Sequence, residues 1–300
     1  MKRVVSVSLG SAKRDHAVEI EVLGEQVRVE RIGTNGDLGK AVQMVKDLDG
    51  TVDAFGMGGI DLYIQAGGRR YILREAKQIA AAAKKTPMLD GTGLKNTLER
   101  KAVGHLPAIL GQSLAGEKVL MVCGIDRFGM AEAFGEAGAD LTLGDLIFTI
   151  GVPMPIHSLR ALDMIARAIA PVMTQLPFRY LYPTGSKQEQ QVSRGGQYFR
   201  HNRIIAGDFH FIRRFMPEDM QGKIVLTNTV TRDDVTLLRE RGVELLVTTT
   251  PELNGRSFGT NVMEALLVAL AGGNGSLAAE EYEQLLDRLA FKPRVEVLKP

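Results

Sequence analysis

The chain has 300 residues, more than one hydrophobic core usually organises, so we expect two domains. Its content of 45% hydrophobic and 24% charged residues is typical of a globular protein and excludes an intrinsically disordered chain. The 37 Lys and Arg residues nearly balance the 35 Asp and Glu residues, and a formal charge of +2 gives no global field for nucleic acid or an anionic membrane. We therefore expect a small-molecule partner and neither nucleic acid nor a membrane.

Cysteine content and terminal sequence indicate a compartment. The single cysteine, Cys123, cannot form a disulfide within the chain, which is typical of a reducing environment. The N-terminus runs directly into a strand-like segment without an apolar secretory signal, so we expect cytoplasmic localisation. The most apolar stretch, residues 262–271, is too short to span a bilayer and predicts a core helix.

Residues 1–115 show the alternation of strands and helices expected of an α/β domain. A hairpin is predicted around Gly24-Glu25, and a helix that leads out of the domain is expected to bend near Pro107. The predicted elements, in chain order, are strands at 3–9, 17–23 and 26–32, a helix at 38–48, a strand at 52–55, a helix at 74–85, a strand at 87–89 and a linking helix at 96–114.

Residues 116–272 are predicted to form a Rossmann-like parallel-sheet domain. Its predicted elements are a strand at 118–122, a turn at 124–129, a helix at 130–137, a strand at 140–143, an amphipathic helix at 158–176, strands at 204–207, 223–227 and 244–248, and helices at 233–241 and 259–270. Residues 273–300 are expected to add a C-terminal helix at 278–289 and a strand-like tail. The fold class is therefore α/β, with the Rossmann-like domain second in the chain.

One long segment lacks any periodic pattern. Residues 183–203 are polar and contain Gly185, Gly195 and Gly196. A structureless connection of this length is uncommon inside a compact domain unless it is functional. We therefore predict an inserted loop that acts as a mobile lid.

A glycine-containing turn, residues 124–129, lies between a predicted strand and a predicted helix. Dinucleotide sites need glycines at such a turn because the backbone must approach a pyrophosphate and the helix N-terminus must face it. Gly124 and Gly129 match the first and third glycines of that pattern, whereas Asp126 occupies the second position. A structural turn without a ligand is the alternative, since such turns recur in α/β sheets.

Asp145 supports the interpretation as a cofactor site. It lies 21 residues after Gly124, and dinucleotide sites carry an acidic residue ~20 residues after the first glycine to bind ribose hydroxyls. A carboxylate there would repel the 2′-phosphate of NADP, so we expect NAD, with NADP less favoured. The alternative is that Asp145 belongs to a solvated turn. The cofactor-binding candidates at this stage are Gly124, Asp126, Phe128, Gly129, Met130 and Asp145.

Potential acid–base groups cluster at the start of the linking helix. Lys95 and Glu99 follow residues 90–93, where the two domains are expected to meet, and Asp61 follows a pair of glycines in another loop. A lysine and a carboxylate there could move a hydroxyl proton while hydride leaves to a nicotinamide. These three residues are the catalytic candidates. A capping cluster on a solvated helix is the alternative.

Hydroxyl, amide and cationic side chains near the same place could bind a substrate carboxylate. The candidates are Ser8, Ser11 and Lys13 after the first strand, and Asn96 and Thr97 on the linking helix. A loop that is simply solvated is the alternative for the first three. The five histidines and one cysteine lack metal-ligand spacing, so we expect no metal site.

The order of these parts resembles the quinate/shikimate dehydrogenase family, which has an N-terminal α/β substrate domain, a linking helix, a Rossmann domain and terminal helices that return to the first domain. Asn96-Thr97 is similar to the family's Asn-Thr-Asp-Gly motif, and Thr249-Thr250-Pro251 is similar to its Asn-Thr-Thr-Pro segment. Asn254-Gly255 is similar to the family's Asn-Gly near the nicotinamide. The resemblance implies that Thr249, Thr250, Asn254 and Gly255 contact the cofactor.

The sequence also departs from that family. Leu98 stands where the family has its catalytic Asp, so the resemblance requires Glu99 or Lys95 to take that role. The family's Val-Thr-x-Pro-x-Lys motif is missing, and residues 150–215 would be an insertion.

The leading hypothesis is a two-domain, NAD-dependent dehydrogenase that oxidises a hydroxyl of a small carboxylated polyol, and the resemblance implies quinate or shikimate. A non-catalytic nucleotide- or metabolite-binding protein is an alternative that Asp126 and the missing motif favour. A transferase with an adenosine-containing donor such as S-adenosylmethionine is another, because such donors also bind at glycine-rich turns. The sequence is also compatible with a homodimer.

Overall fold

Two larger sheets, each central to an α/β domain, organise the residues that the computed structural model describes, namely 1–66, 69–176, 192–250, 252–253 and 256–298. Most neighbouring strands in both sheets run parallel. This confirms the predicted α/β class with a parallel-sheet domain in the second half. Within the described residues, no helix combines the length and the apolar composition needed to cross a bilayer.

The first domain is built on a five-stranded sheet. Its elements are β1 (Lys2–Ser8), β2 (His16–Val22), β3 (Glu25–Gly33), α1 (Leu38–Leu48), β4 (Ala54–Gly58), β5 (Tyr63–Ala66), β6 (Arg69–Ile72), α2 (Arg74–Ala80), β7 (Met88–Leu89) and α3 (Thr92–Leu110). The strand order is β2-β3-β1-β4-β7, and only β2 is antiparallel to its neighbour in this sheet. The β5–β6 hairpin, which the sequence did not predict, stands apart from the sheet.

The second domain is built on a six-stranded sheet. The elements that follow α3 are β8 (Lys118–Met121), α4 (Phe128–Glu136), β9 (Asp140–Leu143), α5 (Leu159–Met173), α6 (Gly196–His201), β10 (Ile204–Gly207), α7 (Phe209–Phe215), β11 (Ile224–Thr227), α8 (Arg232–Glu240), β12 (Leu245–Thr248), β13 (Glu252–Leu253), β14 (Arg256–Ser257), α9 (Thr260–Ala271), α10 (Ala279–Arg288) and β15 (Arg294–Val297). The strand order is β15-β12-β11-β10-β8-β9, with β15 antiparallel.

The direction of winding in the second sheet changes between β8 and β10. From β8 the chain first adds β9 on one side and then β10, β11 and β12 on the other. In open α/β sheets, ligands bind outside the carboxyl ends of the strands at such a switch point. The loops after β8 and β10 are therefore where the fold favours a site.

Helix α3 belongs to both domains, as the predicted linking helix would. Its Leu94 and Leu98 pack in the core under the first sheet, whereas Ala102 and Leu106 pack in the core of the second. The helix starts at Thr92 rather than at Asn96, because Gly91 takes a φ of +96° and turns the chain out of β7. This earlier start places the side chains of residues 92–99 where the domains meet.

Helix α9 packs against the first sheet, although residues 260–271 were assigned to the second domain from their position in the sequence. Val262 and Leu266 share a core with Val4 and Val29. Apolar residues surround this helix on nearly every side, so its pattern could not indicate which core it joins. The return of a terminal helix agrees with the order of parts that the family resemblance implied.

The prediction of a mobile lid at 183–203 is wrong for its described part. Residues 183–191 lie outside the described residues, but Gly196–His201 form α6. Phe199 on this helix is fully buried, and its ring lies 5.7 Å from that of Phe148 in an edge-on arrangement. A single aromatic residue anchors a segment whose polar composition suggested a loop.

A buried carboxylate joins the terminal helices to the first domain. Glu264 of α9 is completely buried and accepts hydrogen bonds from Gly91 N at 2.7 Å, Ser276 Oγ at 2.9 Å and Tyr282 Oη at 2.6 Å. Burial raises its pKa above the ordinary value. Leu277 N also donates to Tyr282 Oη at 3.1 Å. These bonds hold α10 and the turn before α3 against α9.

Replacing Tyr282 with Phe is expected to lower the free energy of unfolding by ~1.5–3 kcal/mol, the range for hydrogen bonds that involve a charged group. The change removes a donor from Glu264 and leaves Leu277 N without its acceptor. Urea unfolding measures the effect. Tyr198→Phe is the matched control, because that hydroxyl donates only a 3.4 Å bond to Pro153 O and a surface change of this kind stays within ~0.5 kcal/mol. Equal losses in both variants would contradict the prediction.

Candidate active site

A cavity lies between the two domains at the glycine turn. It is lined by residues of the β5 region, of α3, of the turn after β8, of the segment after β9 and of α5, including Asp61, Tyr63, Thr92, Lys95, Asn96, Glu99, Cys123, Asp126, Phe128, Gly129, Asp145 and Thr149. Its volume is about 130 Å³, close to the ~150 Å³ of an engineered cavity that holds a benzene ring. The space accepts a small ligand.

Lys95 bridges two carboxylates at one end of this cavity. Its Nζ donates to Asp126 Oδ1 at 2.7 Å and lies 3.5 Å from Asp61 Oδ2. The side chains of Lys95 and Asp126 are 14% and 13% exposed, and that of Asp61 is 29% exposed. Asp90 holds the Asp61 loop in place, because its Oδ2 accepts a 2.6 Å hydrogen bond from Leu62 N. Two catalytic candidates, one in the loop between β4 and β5 and one on α3, are thus in contact.

The electrostatics of this group assign different protonation states to its members. Burial is the main reason that the pKa of Asp61 is raised to about 7; Lys95 opposes the shift, and Asp126 and Asp90 add to it. Burial would also raise the pKa of Asp126, but the Lys95 and Arg127 cations hold it well below its usual range. Burial and Arg127 disfavour the Lys95 cation, yet the surrounding carboxylates keep its pKa above the ordinary value. Near neutral pH, Asp61 is the member that can gain or lose a proton.

Arg127 lies among three carboxylates beside the cavity. Its Nη1 donates a short hydrogen bond to Glu99 Oε1, its Nη2 donates to Asp208 Oδ2 at 3.1 Å, and its Nε lies 3.3 Å from Asp126 Oδ2. Although burial opposes it, the three carboxylates hold the pKa of Arg127 well above its ordinary value. Glu99 is on α3 and Asp208 follows β10, so this guanidinium joins the linking helix to the switch point of the second sheet.

Apolar side chains form the rest of the cavity lining. One face of α5 contributes Ile165, Ala166, Ile169, Ala170 and Met173, and other segments contribute Ile64, Phe128, Leu146, Ile150 and Phe211. Ser158 caps α5 by accepting a hydrogen bond from Ala161 N, and Thr174 O at the other end accepts one from Arg74 N. The helix, which was expected to cover a sheet, therefore also covers the cavity.

The glycines of the turn make close contacts within the chain, as a tight turn and close helix packing require. A β-carbon placed on Gly124 would lie 2.9 Å from Leu162 Cδ2, and one placed on Gly129 would collide with the Asn96 side chain. The turn amides are also engaged, because Asp145 accepts hydrogen bonds from Gly124 N at 3.0 Å and from Ile125 N at 2.9 Å. The chain's own side chains occupy the space that the glycines leave, and burial raises the pKa of Asp145.

Replacing Gly129 with Ala is expected to lower the free energy of unfolding by ~1–3 kcal/mol, the usual effect of overpacking. The added methyl group would meet Asn96 across the contact between α3 and α4. Thermal or urea unfolding measures the loss. The double variant Gly129→Ala/Asn96→Ala should recover most of it, with Asn96→Ala alone as the control. A Gly129→Ala protein as stable as the parent would contradict the tight contact.

Two family models match the chain in adjoining segments. Residues 93–298 match the family described as "Domain of unknown function (DUF8754)", and residues 3–90 match the one described as "Domain of unknown function (DUF8753)". The chain belongs to the DUF8754 family. The two matches meet near the turn from β7 into α3. No curated protein matches the sequence.

Solved structures similar to this DUF8754 chain share little sequence with it. A galactofuranose binding protein is 13% identical, with 99% of this chain and 95% of that one covered and a TM-score of 0.38. A glutamate dehydrogenase from Thermus thermophilus is 12% identical, with 96% of this chain and 73% of that one covered and a TM-score of 0.44. An NAD-dependent malic enzyme from Thermotoga maritima is 11% identical, with 96% of this chain and 84% of that one covered and a TM-score of 0.37. Dehydrogenases are thus among the similar structures, but at these values the likeness concerns the α/β fold and carries no argument about function.

The structure brings some of the predicted site residues together and separates others. Lys95, Glu99, Asp61 and Asn96 line the cavity with Asp126, Phe128, Gly129 and Asp145. Ser8, Ser11, Lys13 and Thr97 do not line it. Ser8 Oγ accepts hydrogen bonds from Gly10 N and Arg31 Nη2, and Ser11 caps the short helical turn that contains Lys13.

Three of the remaining predicted cofactor contacts do not line the cavity in this DUF8754 chain. Met130 packs in the core of the second domain. Thr249 and Thr250 are fully buried after β12, and Thr250 Oγ1 donates to Asn228 O at 2.9 Å. Asn254 and Gly255 lie outside the described residues. Contact of these residues with a cofactor stays a prediction.

Sequence reasoning did not single out Arg127 or Asp208 as site residues. Both flank the switch point, so the only signal was their position after β8 and before α7. The α5 face was also missed as a cavity lining, because its apolar spacing is equally typical of a helix that packs on a sheet.

Proposed function

We propose that this chain is an enzyme in which Asp61 takes a proton from a small substrate bound between the two domains. The contact of Asp61 with Lys95 and of Lys95 with Asp126, at one end of the cavity, is the observation that supports it. Strongly shifted carboxylates in a cleft are typical of catalytic sites.

Each member of the group would have a separate role. Asp61, with a pKa of about 7, exists partly as a carboxylate at neutral pH and accepts the proton of a substrate hydroxyl. Lys95 stays protonated and donates a hydrogen bond to the oxygen on which negative charge develops. Asp126 fixes the Lys95 ammonium at 2.7 Å and keeps it from moving toward Asp61.

Oxidation of that hydroxyl, the reaction expected from the sequence, would also need a hydride acceptor, which a nicotinamide dinucleotide supplies. Asp126 stands at the second position of the turn, where a glycine would let the backbone approach that pyrophosphate. The proposal therefore concerns the transfer of the hydroxyl proton to Asp61, and the hydride would have to go to NAD or NADP added in the assay. A dependence on NAD, its preference over NADP, and a quinate- or shikimate-like substrate stay predictions from the sequence.

A turnover panel tests the proposal. The full chain would be incubated with small hydroxy compounds, including quinate and shikimate, with NAD, with NADP and without cofactor. Proton release and nicotinamide absorbance would be recorded together. We expect at least one compound to be converted by the parent and not by Asp61→Asn. Binding of a compound, shown by a rise in melting temperature, without conversion under any condition would contradict the proposal.

A non-catalytic metabolite-binding protein is the second candidate, because Asp126 occupies the second position of the glycine turn and is already paired with Lys95. It predicts a different result in the same panel. A ligand would raise the melting temperature of the parent and would be recovered unchanged.

A further inference from the structure

We infer that the cavity binds a small primary amine, with an apolar body against α5 and an ammonium head facing Asp61 and Glu99. This inference rests on the site of the proposed function but not on its being catalytic. It differs from the carboxylated polyol that the sequence resemblance implied.

The charges that line the cavity are predominantly negative. Asp61, Glu99, Asp126 and Asp145 all line it, and Lys95 is the one cation among the described residues that line it. That cation is already engaged by Asp126 at 2.7 Å and faces Asp61 at 3.5 Å. A carboxylate ligand would compete with these two residues for Lys95 and would be repelled by the lining carboxylates, whereas an ammonium would be attracted by them.

An unpartnered carboxylate oxygen provides a second, independent observation. Glu99 lines the cavity with a side chain that is only 2% exposed, and its Oε1 is paired with Arg127. Its Oε2 has no hydrogen-bond partner among the described residues. A buried acceptor of this kind is costly unless a donor meets it. An ammonium has three N–H donors and no acceptor, so it can satisfy this oxygen, which an ionised carboxylate cannot.

The remaining lining determines the body of the ligand. Ile165, Ile169 and Met173 of α5 line the cavity together with Phe128 and Ile150. Apolar surfaces of this kind favour a hydrocarbon body, because a hydroxyl group placed against them would lose its hydrogen bonds to water. With a volume of about 130 Å³, the cavity admits one ring or a short branched chain.

Asp61 gives amine binding a characteristic dependence on pH. The groups that face Asp61 are Lys95 of α3, Asp126 of the glycine turn and Asp90 after β7. An added ammonium stabilises the ionised Asp61, so below about pH 7 binding releases a proton and the affinity rises with pH. Above that value Asp61 is already ionised and the affinity levels off. A carboxylate ligand would behave in the opposite way, because it would favour protonated Asp61.

The test uses three probes with the same ring and different heads: cyclohexylmethylamine, cyclohexylmethanol and cyclohexanecarboxylate. Calorimetric or NMR titration of the full chain would give each Kd at several pH values between about 5.5 and 8. We expect the amine to bind at least about tenfold more tightly than the carboxylate, with the alcohol between them. Methylamine, which lacks the ring, should bind more weakly than all three.

Two variants make the test specific. Asp61→Asn should weaken amine binding and remove its rise with pH, whereas Asp140→Asn, a change at an exposed residue at the start of β9, should alter neither. The inference is overturned if the carboxylate or the alcohol binds at least as tightly as the amine. It is also overturned if Asp61→Asn leaves the amine affinity and its pH dependence unchanged, or if no probe binds up to ~10 mM.

The outcome is separable from the test of the proposed function. Tight amine binding without any turnover would support this inference and count against catalysis. Turnover with a preference for carboxylated substrates would support catalysis and count against amine binding.

Discussion

Turnover is expected to fall by ~10²–10⁴ when Asp61 is replaced with Asn, the usual contribution of a general base. The amide cannot accept a proton, but its size and its position 3.5 Å from Lys95 would be retained. Lys95→Met should cause a loss in the same range by removing the hydrogen-bond donor for developing charge. Initial rates on whichever compound the panel identifies measure both effects.

The pH profile supplies a readout that a purely structural role would not change. Asp61 must be ionised to act as a base, so turnover should rise with pH through about 7 and level off above it. In Asp61→Asn the residual rate should show no such rise. Asp140→Asn, at an exposed position outside the cavity, is the matched control. A parent profile that is flat from about pH 5.5 to 8 would remove Asp61 from the mechanism.

The same substitution has an expected effect on stability with a defined sign. The folded-state pKa of Asp61 is raised, so folding favours its protonated form, and the corresponding stability is lost as the pH rises through about 7. Asp61→Asn avoids burying this charge. The variant should therefore melt at a higher temperature than the parent above pH 7, while being less active.

Replacing Arg127 with Met is expected to lower the free energy of unfolding by ~3–5 kcal/mol, as for other buried ion pairs that lose one partner. The change leaves Glu99, Asp126 and Asp208 without their shared cation. Denaturant unfolding at neutral pH measures the loss. Because these carboxylates can then take up protons, part of the lost stability should return as the pH is lowered toward 5.

Arg100→Met is a matched control for that experiment. Arg100 also joins α3 to α4, through Glu132 and Glu136, but these ion pairs are substantially exposed to solvent. Exposed pairs contribute ~0–1 kcal/mol. A similar loss of stability in both arginine variants would show that the Arg127 cluster has no special importance.

The order of helices and strands was predicted well from the sequence, because each element depends on the local spacing of its apolar residues. The apolar alternation of residues 17–23 and 26–32 gave the first hairpin, and the spacing of apolar residues at 38–48 gave α1, both as observed. Lys95 and Asp61 could be proposed as site residues because each lies in a polar segment beside a predicted strand or helix. Chain topology then brought them together.

Other features depend on contacts between distant residues and left no local signal. Arg127 is buried only because Glu99 and Asp208 are supplied by other parts of the chain, so its sequence neighbours could not indicate it. Asp145 has the spacing of a ribose ligand, yet its carboxylate accepts hydrogen bonds from the turn itself. Spacing in the sequence predicts where a side chain lies, but not which hydrogen-bond donors of the folded chain it binds.

The packing of α9 against the first sheet has a consequence for how the protein is made. That sheet's core includes Val262 and Leu266, which follow the whole second sheet apart from β15. A ribosome adding ~5–20 residues per second needs on the order of ten seconds to pass from the end of α3 to the end of α9. Throughout this interval one face of the nascent N-terminal sheet lacks α9. The core on its other face consists of residues between Val5 and Ala82 and can form first, whereas the core that contains α9 must wait until the second sheet, apart from β15, has been synthesised.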